Sequence, residues 1–414
     1  MHKSCDAIPP TRKRKKKKKK NTITKEHVTT TFYCALCLFI LCYTYIIFIT
    51  STAKRKGGLL LNELLLIFTF TVIKSNKTMK SCYSIVITAT LLINAAVVTG
   101  GWFKWDTIKD NTFCRFTECC NDDHIPYDLN KLQISFSQKI FGQPLVKELV
   151  NVLTAHKEAM NDGRNKKSLV ISFHGWSGVG KNYVTTMIAD ALFVQGMNSK
   201  FVKMYMGKKD FGCINLEKKK LFTYYKNYNN NLVKNCHKSL IIFDEIHDMC
   251  PSVLDAIKPM LDHHHAVDGV DYRDSVFIFI SNTGGPEITQ TLLDLNDKGI
   301  KRNDVEFRDF EPIIRRTAFF QGGFEKAGVI AHHLIDHYVP FLPLEQIHIE
   351  KCALAEFRSN GVHQPSEKMM IEALSVVVYG PTEDKAIFAN NGCKRLAKRI
   401  PFIIEKHKRK SVEL

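Results

Sequence analysis

The sequence predicts an α/β fold: a three-layer domain built on a parallel sheet, followed by a small α-helical domain. Three observations carry this. Residues 169–173, 239–243 and 275–280 are short apolar runs with β-branched or aromatic members, and 201–205 alternates, each stretch the length of a strand. Stretches of helical character separate them, the pattern of parallel strands joined by crossover helices. The first run leads directly into Gly175-Trp176-Ser177-Gly178-Val179-Gly180-Lys181, which has the G-x-x-x-x-G-K spacing of a phosphate-binding loop.

The N-terminal region reads as separate from that body. Residues 12–20 are an unbroken basic run, RKRKKKKKK, which is either a nuclear-localisation or anionic-surface signal or the product of an adenine-rich leader. Residues 32–50 are apolar enough to span a bilayer as a helix, and 59–73 is a shorter run broken by Asn62 and Glu63. A third segment starts at Met79, with Lys80, an apolar stretch over 85–98 and small residues at Ala95-Ala96 and Thr99-Gly100-Gly101. That is the layout of a secretory signal peptide. The expectation is a signal peptide over 79–100 and a lumenal body, with 1–78 a non-native leader or an alternative membrane anchor. Residues 1–84 hold 17 Lys/Arg against 3 Asp/Glu, so +14 of the net +18 sits there and +4 is left for the remainder. The basic balance therefore does not predict a nucleic-acid partner.

Residues 101–127 form a short arm rich in aromatics and carrying Cys114, Cys119 and Cys120. A lumenal site permits disulfides there; the plainer alternative is a tethered, partly ordered arm. Cys213, Cys236, Cys250, Cys352 and Cys393 are scattered through the body, and no C-x-x-C pair has a partner pair, so no zinc site is expected. From 129 to 160, Leu132, Ile140, Leu145, Leu149 and Leu153 are spaced for one or two amphipathic helices, interrupted at Phe141-Gly142-Gln143. After the glycine loop, Val184, Met187, Ile188 and Leu192 mark another helix. The large domain is placed at 128–339. Prolines at 340 and 343 then punctuate the chain, and helices over 345–358, 366–378 and 394–407 make up the small domain, 340–414.

The chemistry follows from residue types at fixed places. Glycines let successive N–H groups turn around an anion, and the next helix points its positive end at the same spot. Lys181 adds a mobile positive charge. Asn182 stands where a Ser or Thr hydroxyl would normally meet Mg²⁺; its amide oxygen is a larger, differently angled ligand. The run Leu240-Ile241-Ile242-Phe243 ends in Asp244-Glu245, placing a metal-organising carboxylate beside one that can accept a proton from water. Alone, such a strand end is a common surface turn. Asn282 closes the 275–280 run, where an amide can meet a γ-phosphate and the attacking water, or simply start the turn Thr283-Gly284-Gly285-Pro286.

Taken together, GWSGVGKN, IIFDEIHDM, DAIKPMLD, DGVDYRDSVFIFISN, VPFLPLE and GCK occur in this order, and the chain resembles the torsins. These are Clp-related AAA+ ATPases of the endoplasmic reticulum lumen and nuclear envelope. The resemblance covers 101 to the C-terminus, and the Asn after the loop lysine is a torsin habit. It implies an AAA+ three-layer P-loop domain with a helical lid, binding ATP and Mg²⁺. It also implies that Gly175, Trp176, Ser177, Gly178, Val179, Gly180, Lys181 and Asn182 form Walker A and that Asp244 and Glu245 form Walker B. By the same resemblance Asn182 and Asp244 organise Mg²⁺, partly through water, and Glu245 polarises the attacking water. Asn282 would be sensor 1 and Lys394, in Gly392-Cys393-Lys394, sensor 2. Cys352 and Cys393 would be a redox pair coupled to nucleotide binding.

AAA+ rings usually complete each site with a neighbour's arginine. The stretch before VPFLPLE offers His332 and His333 but no arginine, and Arg315 and Arg316 lie further upstream with no finger role assigned. The resemblance therefore implies weak activity alone. A membrane-anchored partner of the lamina-associated polypeptide type, with an AAA+-like lumenal domain, would supply the arginine. It also implies a homo-oligomer, associated with membranes through partners or through the N-terminal arm. The opposing reading is a nucleotide-gated scaffold with little or no hydrolysis. His263-His264-His265 reads as a solvated helix end, the sequon at Asn76 precedes the expected mature chain, and Ser-Val-Glu-Leu at the end only faintly resembles a retrieval signal.

Overall fold

A computed structural model describes residues 114–211, 227, 229–331, 333–380 and 387–412, all within the unit Asp110–Leu414. The expected leader, signal peptide, 32–50 span, sequon, arm residues 101–113, Cys213, His332 and the last two residues lie outside the described residues. All four segments are strands: β1 (Leu169–His174), β2 (Val202–Met206), β3 (Leu240–Asp244) and β4 (Val276–Ile280). A fifth, β5 (His337–Pro340), joins them, and the sheet runs β2-β3-β4-β1-β5, parallel throughout.

β1, β3 and β4 are almost wholly apolar because both faces of the sheet are covered there, whereas the edge strand β2 carries Lys203 and is only partly buried. Leu169, Ile171, Phe173, Leu240, Ile242, Val276 and Ile278 belong to one core. They share it with Leu132 and Phe136 of α1 (Leu129–Lys139), Leu149 and Leu153 of α2 (Glu148–Asn161), and Val184 and Ile188 of α3 (Lys181–Leu192). The alternate residues Val170, Ile241, Phe243, Phe277 and Phe279 form the other core. There they meet Leu254 of α4 (Pro251–Leu261), Ile288 of α5 (Gly285–Asp297), and Phe310 and Ile314 of α6 (Phe307–Phe320). Each such side chain contributes about 1.5–3 kcal/mol over leaving it exposed. The result is the three-layer α/β fold expected from the sequence.

Two features differ from the expectations, and a third decides between alternatives left open. The sequence reading missed β5, and the boundary placed at 339/340 cuts through it. Four residues containing His and Pro give little strand signal, and Pro340 is tolerated because β5 lies at the sheet's edge. The C-terminal part holds α7 (Gln346–Ser359), α8 (Glu367–Leu374) and α9 (Leu396–Val412). Here α8 stops four residues short of the expected 378, because β6 (Tyr379–Gly380) pairs with β7 (Phe388–Ala389). Lastly, the described part of the arm is bonded to the body. Cys114 pairs with Cys119, and Cys120 pairs with Cys236. Ile125 and Tyr127 are buried, and Glu118 accepts hydrogen bonds from the Ser199 hydroxyl (2.7 Å) and the Lys200 N–H (2.8 Å). Among the described residues no helix is long and apolar enough to cross a membrane.

Some helix starts follow capping rules. Asp128 accepts the Lys131 N–H (2.9 Å) at the start of α1, and a reciprocal Glu306–Asp309 box starts α6. Other helices, α3 among them, start without a side-chain cap; α3 begins directly after Gly180 (φ +111°). Its first-turn N–H groups are left for another acceptor.

Candidate active site

The C-terminal ends of β1, β3 and β4 meet at the start of α3, and a cleft of about 720 Å³ opens there. Ser177, Gly178, Val179, Gly180, Lys181, Asn182, Asp244, Glu245, Asn282, Cys352, Cys393 and Lys394 all line it. Residues as far as 217 positions apart are thus brought to one place, and the volume suits a nucleotide-sized ligand.

Gly175 and Trp176 are not among the lining residues. Gly175 backs onto the Phe341 backbone, and the Trp176 ring packs on Gly285, its Nε1 donating to Thr289 Oγ1 (3.0 Å). Both still take part through their carbonyls. Lys181 Nζ donates to Gly175 O (2.6 Å), Trp176 O (2.8 Å) and Asn282 Oδ1 (2.8 Å). Lys181 is buried, and burial pulls its pKa down to about 7; Asp244 opposes that shift and Lys394 adds to it. Lys394 is thus close enough to be felt at the loop lysine.

Asp244 ends β3. One carboxylate oxygen accepts the Asn182 Nδ2–H (2.7 Å) and the other accepts the Glu245 N–H (2.8 Å). The two residues expected to organise a metal are therefore side by side, the amide using its nitrogen toward the carboxylate. Glu245 is exposed, with a left-handed backbone (φ +52°, ψ +45°). That conformation is costly for a non-glycine residue and concentrates at functional sites. Asn282, beyond β4, contacts His247 twice: its N–H lies 3.4 Å from Nδ1, and its Nδ2 lies 3.3 Å from Nε2. Which of these is the true hydrogen bond follows the imidazole tautomer.

A buried polar chain supports the strand ends. His174 Nε2 is 2.7 Å from Ser172 Oγ, and its Nδ1 is 3.3 Å from Thr283 Oγ1. Burial holds its pKa down at about 3, so it is neutral. Cys352 on α7 is disulfide-bonded to Cys393, whose backbone N–H donates to Gly178 O (3.2 Å). On α6, Arg315 Nη2 is 2.6 Å from His333 Nε2, and no arginine is among the described residues that line the cleft.

Sequence reasoning missed part of the cleft wall: Ile140, Phe141, Gln143, Tyr183, His247, Leu344, Glu356 and Leu396. The turn Phe141-Gly142-Gln143 had been read only as a helix break. His247, two residues past Glu245 in the DEIH stretch, was the one such residue with a signal to follow. The polyphosphate and metal suit what is present. An uncapped helix start, an ammonium and a carboxylate–amide pair converge on one cleft.

Comparison with known proteins gives the family. A family model described as Torsin matches residues 114–243. A torsin-like protein of Drosophila melanogaster is 36% identical over 318 residues, spanning 75% of this chain and 90% of the relative. A torsin-like protein of Caenorhabditis elegans is 35% identical over 296 residues, spanning 70% and 81% respectively. Among solved structures, Hsp104 with ATPγS and casein in a closed state matches at 16% identity with a TM-score of 0.46. The S. cerevisiae Hsp104–ADP complex matches at 15% and 0.45. The chain spans about half the length of these structures, 48% and 56%.

Proposed function

The chain belongs to the torsin family, and on that premise we propose that it is a partner-activated ATP hydrolase of the endoplasmic reticulum lumen and nuclear envelope. In this reading it remodels protein or membrane-associated complexes. The observation that carries the reading is the convergence of Lys181, Asn182, Asp244, Glu245, Asn282 and Lys394 on one cleft. The uncapped start of α3 and the N–H groups of the glycine loop receive the phosphates, and Lys181 leaves its three oxygen acceptors to meet them. Asp244 and Asn182 would hold Mg²⁺, which when bound would neutralise phosphate charge. Glu245, exposed at the end of β3, accepts the proton of the attacking water. Asn282 and Lys394 report the state of the γ-phosphate. That no arginine is among the described residues lining the cleft supports the need for a membrane-anchored partner of the lamina-associated polypeptide type. Such a charge is worth about 10³–10⁵ in related reactions. A homo-oligomer and a redox role for Cys352–Cys393 belong to the same reading.

The Asn182–Asp244 hydrogen bond favours a second reading, a nucleotide-gated scaffold, because the Asn182 Nδ2–H engages a carboxylate oxygen of Asp244 that a metal would otherwise meet. ATP turnover by the chain, alone and with a partner's lumenal domain, separates the two. Slow turnover alone, stimulation of 100-fold or more by the partner and its loss in Glu245→Gln are the expected results. ATP binding with no stimulated turnover would leave the scaffold.

A further inference from the structure

Two carbonyls of the glycine loop are held by side chains and backbone from elsewhere in the chain. The Cys393 N–H donates to Gly178 O, and Gln143 Nε2 donates to Val179 O (3.2 Å). A peptide unit is planar and trans, so its carbonyl and its N–H point in opposite directions. Holding these carbonyls therefore fixes the aim of the Val179 and Gly180 N–H groups, which share their peptide planes. Those are donors that a phosphate would use.

Gln143 does more than hold the loop. The Leu342 N–H donates to its Oε1 (2.8 Å), and its Nε2 donates to Leu342 O (2.8 Å). The carboxamide thus pairs with Leu342 as a neighbouring strand would, across 199 residues. Leu342 lies in the 341–345 connection between β5 and α7. Arg302 pins the same region. Its Nε (2.9 Å) and Nη2 (2.7 Å) donate to Gly142 O, Nη2 to Pro343 O (2.8 Å), and Nη1 to Glu345 Oε1 (2.8 Å). Gly142 has φ +69°, and the His348 ring lies where a Cβ would stand. The turn 142–143 is thus clamped between the glycine loop and the connection that leads to the C-terminal helices.

We propose that Gln143 is a positioning residue of the nucleotide site, transmitting the placement of the 341–345 connection to the Val179–Gly180 peptide, with Arg302 fixing the turn that carries it. This rests on the reading of the cleft as an ATP site. A shift of the C-terminal helices about that connection re-aims the Gly180 N–H. Loss of the carboxamide uncouples the two and leaves three buried backbone groups without their partner.

The test uses the full chain and MgATPγS. Gln143→Met keeps the side chain's length and removes the amide. Calorimetric titration should show binding weakened about tenfold, the scale of unsatisfied buried polar groups. Arg302→Lys, which keeps the charge and loses the fork, should weaken it less. In the unaltered chain, hydrogen exchange at the Gly180 and Leu342 amides should slow together on adding nucleotide. In Gln143→Met only Leu342 should lose that response. Binding by Gln143→Met within twofold of the unaltered chain overturns the proposal. Should that variant not fold, protection of Gly180 without any change at Leu342 in the unaltered chain overturns it equally. No binding by the unaltered chain would sink the ATP-site reading itself, and this inference with it.

Discussion

Lys181 shows how one side chain's surroundings set a measurable dependence on pH. Its three hydrogen bonds, to Gly175 O, Trp176 O and Asn282 Oδ1, match the three protons of an ammonium, yet burial still pulls the pKa down to about 7. A polyphosphate beside it favours the charged form and raises the pKa, so binding takes up a proton wherever the empty site has lost one. The sign follows by linkage: nucleotide affinity falls as pH rises from about 7 toward the bound-state pKa. Calorimetry at pH 8 in buffers of different ionisation enthalpy should show uptake approaching one proton; a buffer-independent heat would refute it. Lys181, Asn182, Asp244, Glu245 and Asn282 were legible in the sequence because their chemistry depends on positions at the ends of strands. Gln143 was not, because its partners Val179 and Leu342 lie 36 and 199 residues away. Nor was the outward turn of Trp176, which depends on Gly285 and Thr289 of a helix that begins 109 residues later.

At the scale of elements, the glycine loop and the turn before α9 are in direct backbone contact. Gly178 has φ +85°, and a Cβ there would collide with the Asn391 carbonyl. Gly178→Ala should therefore lower stability by roughly 1–3 kcal/mol and separate the loop from the turn. Gly163→Ala is the control, since Gly163 has a similar φ of +62° with nothing within 4 Å. Thermal melts should show the larger loss at position 178; equal losses would mean that backbone strain alone is responsible. β1, β3 and β4 could be read from the sequence because strands buried on both faces are written as continuous apolar runs, and β2 by its alternation. The edge strand β5 and the two-residue β6 and β7 could not, since neither length nor composition separates them from loops. The ends of α7 and α8 were legible to within a few residues, α8 less so, because tertiary pairing rather than propensity stops it.

At the scale of the whole molecule, the described arm is joined to the body by chemistry that spacing does not specify. Cysteine positions alone leave many pairings open, and Cys120–Cys236 spans 116 residues, tying the arm to the approach to β3. Replacing both cysteines by serine should cost about 2–5 kcal/mol, read from denaturant midpoints under non-reducing conditions; no change would show that packing of Ile125 and Tyr127 holds the arm alone. The strand order has a consequence in time. Leu169 of β1 pairs with Val276 and Ile171 with His337, 107 and 166 residues further on. At about 5–20 residues per second, a ribosome makes β1 roughly 5–20 s before β4 exists and about 8–33 s before β5. Through that interval β1, buried on both faces in the finished sheet, has no strand neighbour on either side, and covering it during synthesis is the task a holding chaperone would perform for this protein.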